Sequence, residues 1–309
     1  MKIAVPGYYP EFRCIADRCR HNCCIGWEID IDEDTLAFYE TVDGGIGVRL
    51  RENIDYSTTP HFRLGENERC PFLNDRNLCD IYTELGEEHL CAICSDHPRF
   101  RNYIGGVCEM GLGLSCEAAA ELILTYEKPF TLIDLGEEEG DAEILDWDED
   151  LIRLREEAIG ILTDREMTVC DRVGELAEDC LYARSADEWR EFYLSLERMD
   201  ADWEKMLGYF TEENLNWSDI LPETAWEQLL VYFVYRHATQ ASDGWDFDAR
   251  LAFSVLSYAV IRTVAEGVYR EKGEIGIGDL VEIARMYSSE IEYSEDNTAE
   301  LIGELDGMI

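Results

Sequence analysis

From Asp150 onward, apolar residues recur at helical spacing. Leu151, Ile152, Leu154, Ala158, Ile159 and Leu162 predict one amphipathic helix. Ser185-Ala186-Asp187-Glu188 reads as a capping box ahead of Trp189, Phe192, Tyr193 and Leu196. The runs Trp226 to His237 and Leu251 to Tyr269 are apolar on nearly every side, as expected of helices crossing the middle of a bundle. A closing amphipathic helix is expected over Ile277 to Ile291. Upstream, Glu117 to Leu124 is a strong helix former, whereas Asp32–Tyr39 and Tyr82–Leu90 carry only short helical patterns. Turn formers interrupt this first part at Asp43-Gly44-Gly45, Thr59-Pro60, Asn74-Asp75 and Gly105-Gly106. The stretch from Asp134 to Asp150 holds no basic residue and reads as a solvated connection. No repeat is evident at a solenoid period. The expected architecture is mainly α. A loop-rich, cysteine-ligated unit over residues 1–125 precedes an acidic linker and helical bundle over residues 126–309.

Charge narrows the function. The 309 residues carry 68 acidic against 26 basic side chains, a formal net charge of −42, and only Lys2, Lys128, Lys205 and Lys272 are lysines. Such a surface repels phosphate backbones and excludes nonspecific nucleic-acid binding, while attracting cationic partners. The amino terminus has no apolar core long enough for a signal peptide. The longest nearly uncharged stretch, Leu251 to Ala265, contains Arg262 and falls short of the ~20 residues of a membrane helix. No membrane insertion is expected, and the chain reads as cytoplasmic.

Cysteine changes the picture most. Ten of the twelve cysteines fall between Cys14 and Cys116, together with His21, His61, His89 and His97. In a reducing compartment such clustering points to metal ligation rather than disulfides. The array runs Cys14-x4-Cys19-x3-Cys23-Cys24, then Cys70-Pro71-Phe72-Leu73, Cys79-Asp80-Ile81-Tyr82, Cys91-x2-Cys94, Cys108 and Leu114-Ser115-Cys116. Only Cys91-x2-Cys94 resembles a zinc knuckle. Adjacent Cys23 and Cys24 cannot easily aim both sulfurs at one tetrahedral ion, so a polynuclear iron–sulfur cluster is favoured and zinc is the alternative. His21 could ligate metal or hydrogen-bond a cluster sulfur. His237, on an apolar run, reads as a satisfied core residue, and Cys170 and Cys180 as buried small hydrophobes on helices.

These boxes resemble the flagellin lysine N-methylase family and, more distantly, cysteine-rich proteins described as zinc- or iron-chelating domains. The resemblance rests on Tyr9-Pro10-Glu11-Phe12, Cys14, Cys19, Cys23-Cys24 with Gly26-Trp27, Cys70-Pro71-Phe72-Leu73, and Cys79-Asp80-Ile81-Tyr82. Leu85-Gly86, Cys94 ahead of Pro98-Arg99, and Leu114-Ser115-Cys116 complete it, all in one order over about the first 125 residues. It implies a cytoplasmic enzyme with an iron–sulfur cluster, 4Fe–4S being the type expected, that moves methyl groups from S-adenosylmethionine to lysines of flagellin. It also implies Cys14, Cys19, Cys23, Cys24, Cys70, Cys79, Cys94 and Cys116 as ligands, and leaves Cys91 and Cys108 outside the pattern. The chain departs from the family at His97, where tyrosine is usual, and at Glu117, where proline is usual.

Lysine methylation needs a neutral amine, in-line approach to an electrophilic methyl group and exclusion of water. Tyr82 and Arg99 are the candidate catalytic residues and Trp27 the candidate for holding the sulfonium, because they flank cysteine boxes. The alternatives are that Trp27 and Tyr82 pack over the metal and that Arg99 offsets cluster charge. The nearest glycine-rich string, Leu132 to Gly140, lacks the second glycine of a donor-binding turn. The Cys-x3-Cys-x2-Cys spacing of radical S-adenosylmethionine enzymes also fails, since Gly26 stands at its third position. A non-enzymatic zinc- or iron-binding protein, or an electron-transfer protein on the same module, is the competing reading.

Overall fold

In a computed structural model of the chain, residues 1–140, 143–176 and 183–308 are described. They divide into a smaller compact unit, Arg13–Arg99, and a larger one made of Met1–Phe12 with Phe100–Ile309. The first strand, β1 (Lys2–Pro6), belongs to the larger unit. The smaller unit contains α1 (Glu33–Thr41), α2 (Gly44–Asn53), the antiparallel pair β2 (Ile54–Asp55) and β3 (His61–Phe62), α3 (Asp80–Leu85) and α4 (Ala92–Asp96). Asp32 serves two of these helices. One carboxylate oxygen accepts from the Thr35 amide at 3.0 Å and caps α1, and the other accepts from the Ala92 amide at 2.8 Å at the start of α4. The core of this unit is small and partly made of thiols: Ile29, Tyr39, Leu50, Phe62, Phe72 and Ile81 are buried with Cys70 and Cys91.

The larger unit holds a four-stranded sheet that the hydrophobic pattern did not announce. Strands β4 (Arg99–Ile104), β5 (Val107–Leu112) and β6 (Leu132–Glu137) join β1 in the order β4-β5-β1-β6. Gly105 and Gly106, at φ +58° and +76°, supply the two left-handed positions of the turn between β4 and β5. β1 runs parallel to β5 and antiparallel to β6, with a bulge after Ile3. The boundary expected at residue 125 therefore differs from the division of the structure. Residues 1–12 and 100–125 pair with the larger unit, and the stretch expected as a solvated connection begins inside an edge strand.

The remaining elements are helical and close to expectation. They are α5 (Glu117–Leu124), α6 (Asp148–Leu162), α7 (Val169–Leu176), α8 (Ala186–Ser195), α9 (Ala201–Leu207), α10 (Glu223–His237), α11 (Gly244–Lys272), α12 (Ile277–Tyr287) and α13 (Glu295–Asp306). The Ser185–Glu188 capping box is formed at α8. A π-helical turn, Ser288–Glu292, extends α12. Helix α11 has 29 residues, about 43 Å, and stops where Gly273 turns left-handed at φ +79°. It is longer than its uncharged stretch because flanking turns add polar residues, and by composition it reaches the length of a membrane span. Its apolar window is nevertheless fully buried within the unit. Cys170 corrects an expectation: it lies on α7 but is exposed, because that helix buries Val169, Arg172 and Val173 instead. Cys180 lies outside the described residues.

Three buried glutamates in this unit are matched by arginines. Glu109 on β5 takes both guanidinium nitrogens of Arg155, at 2.5 and 2.8 Å. Glu227 joins Arg165 and Arg172. Glu292, at the end of the π turn, accepts from the Tyr232 hydroxyl at 2.9 Å and pairs with His237 Nε2 at 2.6 Å, with Arg236 Nε 3.4 Å away. His237 is thus a satisfied core residue. Arg236 also lies 5.0 Å from each of the Phe100 and Tyr293 ring centres. Burial opposes the Glu292 charge, but Arg236 and His237 outweigh it and hold the carboxyl at about 2. Because this value lies below that of the unfolded chain, Glu292 contributes stability in full above about pH 4.5, and the contribution is lost as pH falls toward about 2. Glu292→Gln is expected to remove that part of the acid slope. Near neutral pH it is expected to cost about 3–5 kcal/mol, because Arg236 keeps a buried charge without its counter-charge. Denaturant unfolding at neutral and acid pH measures both effects; unchanged neutral-pH stability would contradict this account.

Candidate metal centre

Backbone pairing brings the cysteine boxes together. The Cys70 amide donates to the Cys24 carbonyl at 2.8 Å beside an antiparallel bridge between Ile25 and Arg69. A second bridge joins Leu73 to Cys79, and the Asp80 amide donates to the Phe72 carbonyl at 2.8 Å. Between these boxes Asn74 orders the loop, its Oδ1 accepting from the Arg76 and Leu78 amides and its Nδ2 donating to Asp80 at 2.8 Å. Cys79 and Cys91 occupy the N-cap positions of α3 and α4. There the free amides at a helix start favour sulfur in its anionic form.

Six thiols consequently share one neighbourhood. Cys24 feels the charges of Cys23, Cys70 and Cys79, and Cys94 those of Cys91, Cys70 and Cys23. Cys70 feels Cys79 and Cys91. The Tyr39 hydroxyl, which donates to the His89 carbonyl at 2.8 Å, lies 3.6 Å from the Cys91 sulfur. A hydrogen bond with Cys24 lowers Cys23 to about 7 and raises Cys24, and the bond between Cys91 and Cys94 divides that pair in the same sense. Burial pushes Cys70 up to about 11 and raises Cys79, against the amides of Phe72 and Leu73 on Cys70 and of Ile81 and Tyr82 on Cys79. These are soft donors, partly desolvated and mutually repulsive once ionised. That chemistry suits a polynuclear metal centre, which would keep several thiolates deprotonated and share their charge.

Of the eight expected ligands, Cys23, Cys24, Cys70, Cys79 and Cys94 belong to this gathering. Cys14 is exposed, its sulfur accepting from the Ala16 amide at 3.4 Å, and Cys19 donates to the His21 carbonyl at 3.2 Å. Cys116 sits in the larger unit at the N-cap of α5. Cys91, which the resemblance left aside, joins the gathering; its zinc-knuckle spacing with Cys94 was the signal for it. Cys108 is buried in the larger unit with Val5 and Met110.

Other candidate residues have defined surroundings. Arg99 donates from Nη1 to the Ser95 carbonyl at 3.1 Å and approaches that of Asp96, complementing the carboxyl end of α4. Tyr82 is half exposed on α3, and Trp27 is half-buried three residues beyond Cys24. Burial and the Arg99 charge hold His97 at about 4, unprotonated at neutral pH. His89 stacks on Phe38 with ring centres 3.9 Å apart. His61 stands with exposed Glu28 and Asp30, their ligand atoms within 4.8 Å of one another, while its Nδ1 faces the Thr59 carbonyl at 2.8 Å. The string from Leu132 begins in edge strand β6 of a mixed sheet, which is not the strand-turn-helix of a dinucleotide-type donor site.

Comparison with known proteins adds the carboxy-terminal half. Residues 164–307 match the family described as FliB lysine N-methylase C-terminal domain. Over 129 residues, 40% of this chain, the sequence is 27% identical to a lysine-N-methylase of Salmonella choleraesuis and to another of Salmonella typhimurium. It is equally similar over 129 residues to the flagellar biosynthetic protein FliU of Salmonella muenchen. The carboxy-terminal part of the chain thus resembles the lysine N-methylase family. Its matched portion spans about a third of the length of the two lysine-N-methylases (32%) and 76% of FliU. No solved structure matches. The residues matched to the methylase family are those of α7 to α13 in the larger unit, whereas the boxes that carried the resemblance lie earlier in the chain. If the gathered thiols act as one donor set, Cys91→Ser is expected to lower bound metal several-fold in anaerobically purified protein. Cys170→Ser, on an exposed helix face, is expected to leave the metal content unchanged. Elemental analysis of both variants checks this, and full metal retention in Cys91→Ser would remove Cys91 from the set.

Proposed function

We propose that this chain is a cytoplasmic, S-adenosylmethionine-dependent protein-lysine N-methyltransferase acting on flagellin, with its cysteine unit folded around an iron–sulfur cluster. What supports the reading is one chain that joins the lysine N-methylase match over residues 164–307 to a gathering of six thiols. In the proposed ligand set, Cys23, Cys24, Cys70, Cys79, Cys91 and Cys94 form the body. Cys14 and Cys19, of the same compact unit, are added on the strength of the family resemblance. The cluster supplies a redox-capable, charge-sharing inorganic core, and zinc is the alternative occupant.

In methyl transfer, the lone pair of a neutral lysine amine attacks the sulfonium methyl. A carbon–nitrogen bond forms as the carbon–sulfur bond breaks, the donor leaves as a neutral thioether, and the amine proton passes to a base or to water. The protein must present the amine unprotonated, in line and away from bulk water. Half-exposed Tyr82 offers a hydroxyl to orient the amine, and half-buried Trp27 offers a π face to a sulfonium. Arg99 serves best as a positioning residue for α4, since its guanidinium is engaged with that helix's carbonyls. The net charge of −42 favours encounter with lysine-bearing segments.

Protein purified without oxygen and incubated with flagellin and S-adenosylmethionine is expected to yield methylated lysines by mass spectrometry, with iron and acid-labile sulfide bound. Cys23→Ser is expected to abolish both cluster and product. Iron–sulfur absorption without methylation would reject the enzyme and leave a metal-binding or electron-transfer protein. Zinc as the only stoichiometric metal would reject the cluster.

A further inference from the structure

The larger unit encloses its big aromatics, with Trp189, Trp203 and Trp226 fully buried, yet leaves Trp245 in water. Trp245 stands in the first turn of α11 and is 69% exposed. With Gly244 and Asp248 of the same helix and Leu154 of α6, it lines an open cleft of about 420 Å³. Trp245 and Asp248 are three residues apart and so share one helix face. Gly244 carries no side chain, and a Cβ there would stand 3.9 Å from the Trp147 ring edge, which brings a second indole beside the cleft.

Charge at the cleft is unbalanced. Several carboxylates at the start of α11 and on α6 are already engaged. Asp243 caps α11 by accepting from the Asp246 amide at 3.0 Å, and Asp246 holds Arg250 at 2.8 Å. On α6, Arg153 is shared by Asp150 and Glu157, each at 3.1 Å. Arg153 is therefore engaged along α6, and the exposed carboxylate of Asp248 lines the cleft. The Asp243 cap and Asp246 meet the positive end of the α11 dipole, which would otherwise oppose a cation here.

We propose that this cleft is a docking subsite for an unmodified lysine side chain of the protein substrate. The Trp245 face attracts the ammonium, Asp248 accepts its hydrogen bonds, and Leu154 packs against the methylene stem. The inference rests on the methylase reading for its choice of substrate, but the binding it describes can be measured without turnover. The subsite binds and orients; no bond to the lysine forms or breaks there. Because Asp248 reads N–H donors, the subsite favours the unmodified ammonium over the trimethylated one, so a fully methylated product is released more readily than substrate.

The test uses the 309-residue chain and Nα-acetyl-lysine amide as probe, with its trimethyl-lysine and glutamine analogues, followed through the probe's own signals by ligand-observed NMR so that every variant is read alike. Saturable binding of the lysine probe is expected, about tenfold weaker for Trp245→Ala and for Asp248→Asn, and weaker for the trimethyl analogue. Glu137→Gln on the exposed strand β6 controls for lost net charge and is expected to bind like the unmodified protein. Equal affinity in all variants, or equal binding of the glutamine analogue, would overturn the subsite. Trimethyl-lysine binding as tightly as lysine would overturn the role of Asp248. Lysine binding that depends on Trp245 and Asp248, in protein that methylates nothing, would uphold the subsite while rejecting the methylase reading.

Discussion

Sulfur at the centre of a small core is the constraint on which the cysteine unit depends. Ile29, Tyr39, Leu50, Phe62, Phe72 and Ile81 enclose little volume, and Cys70 and Cys91 complete that core in place of larger apolar side chains. Thiols in this setting are compatible with the fold when protonated, but as thiolates they repel one another and lose hydration. The unit answers with pairings that fix the boxes whatever the sulfurs carry: Cys70 against Cys24, Leu73 against Cys79, and Asp80 against Phe72. Backbone amides are aimed at two of these sulfurs, those of Phe72 and Leu73 at Cys70 and those of Ile81 and Tyr82, at the start of α3, at Cys79. The result is a set of thiols held together by main-chain geometry.

The larger unit solves a different electrostatic problem. A chain with 68 acidic and 26 basic residues must keep most carboxylates in water and match those it buries. All four lysines are exposed, whereas Arg155, Arg172 and Arg236 are buried against Glu109, Glu227 and Glu292. A guanidinium suits this work because its planar fork meets both oxygens of a carboxylate and still stacks on aromatic rings, as Arg236 does between Phe100 and Tyr293. The same division of labour leaves the outer surface strongly acidic. Trp245 is exposed on that surface, three residues from exposed Asp248.

Much of the helical architecture was legible in the residues. The Ser185–Glu188 box, the apolar runs of α10 and α11, and the pattern that became α6 are local signals with a local physical cause. The sheet was not legible. β1 is five residues ending in proline, β5 carries a buried glutamate, and β6 is exposed along its whole length. None shows the alternation that marks a half-buried strand, because each is specified by a partner distant in sequence. The gathering of thiols was half legible. Clustering and spacing identified the cysteine boxes, and the Cys91-x2-Cys94 knuckle was visible. Family likeness alone had drawn Cys116 and Cys23 into one set, although they lie in different compact units.

The sequence by itself determined most of the helices, the acidic surface and the clustering of thiols, since periodicity, charge and residue identity are carried along the chain. Tertiary structure decided which thiols meet, which arginines answer Glu109, Glu227 and Glu292, and that Lys2–Pro6 pairs with strands more than a hundred residues away. These outcomes depend on long-range pairing, where a backbone partner or counter-charge is supplied only once distant segments have come together.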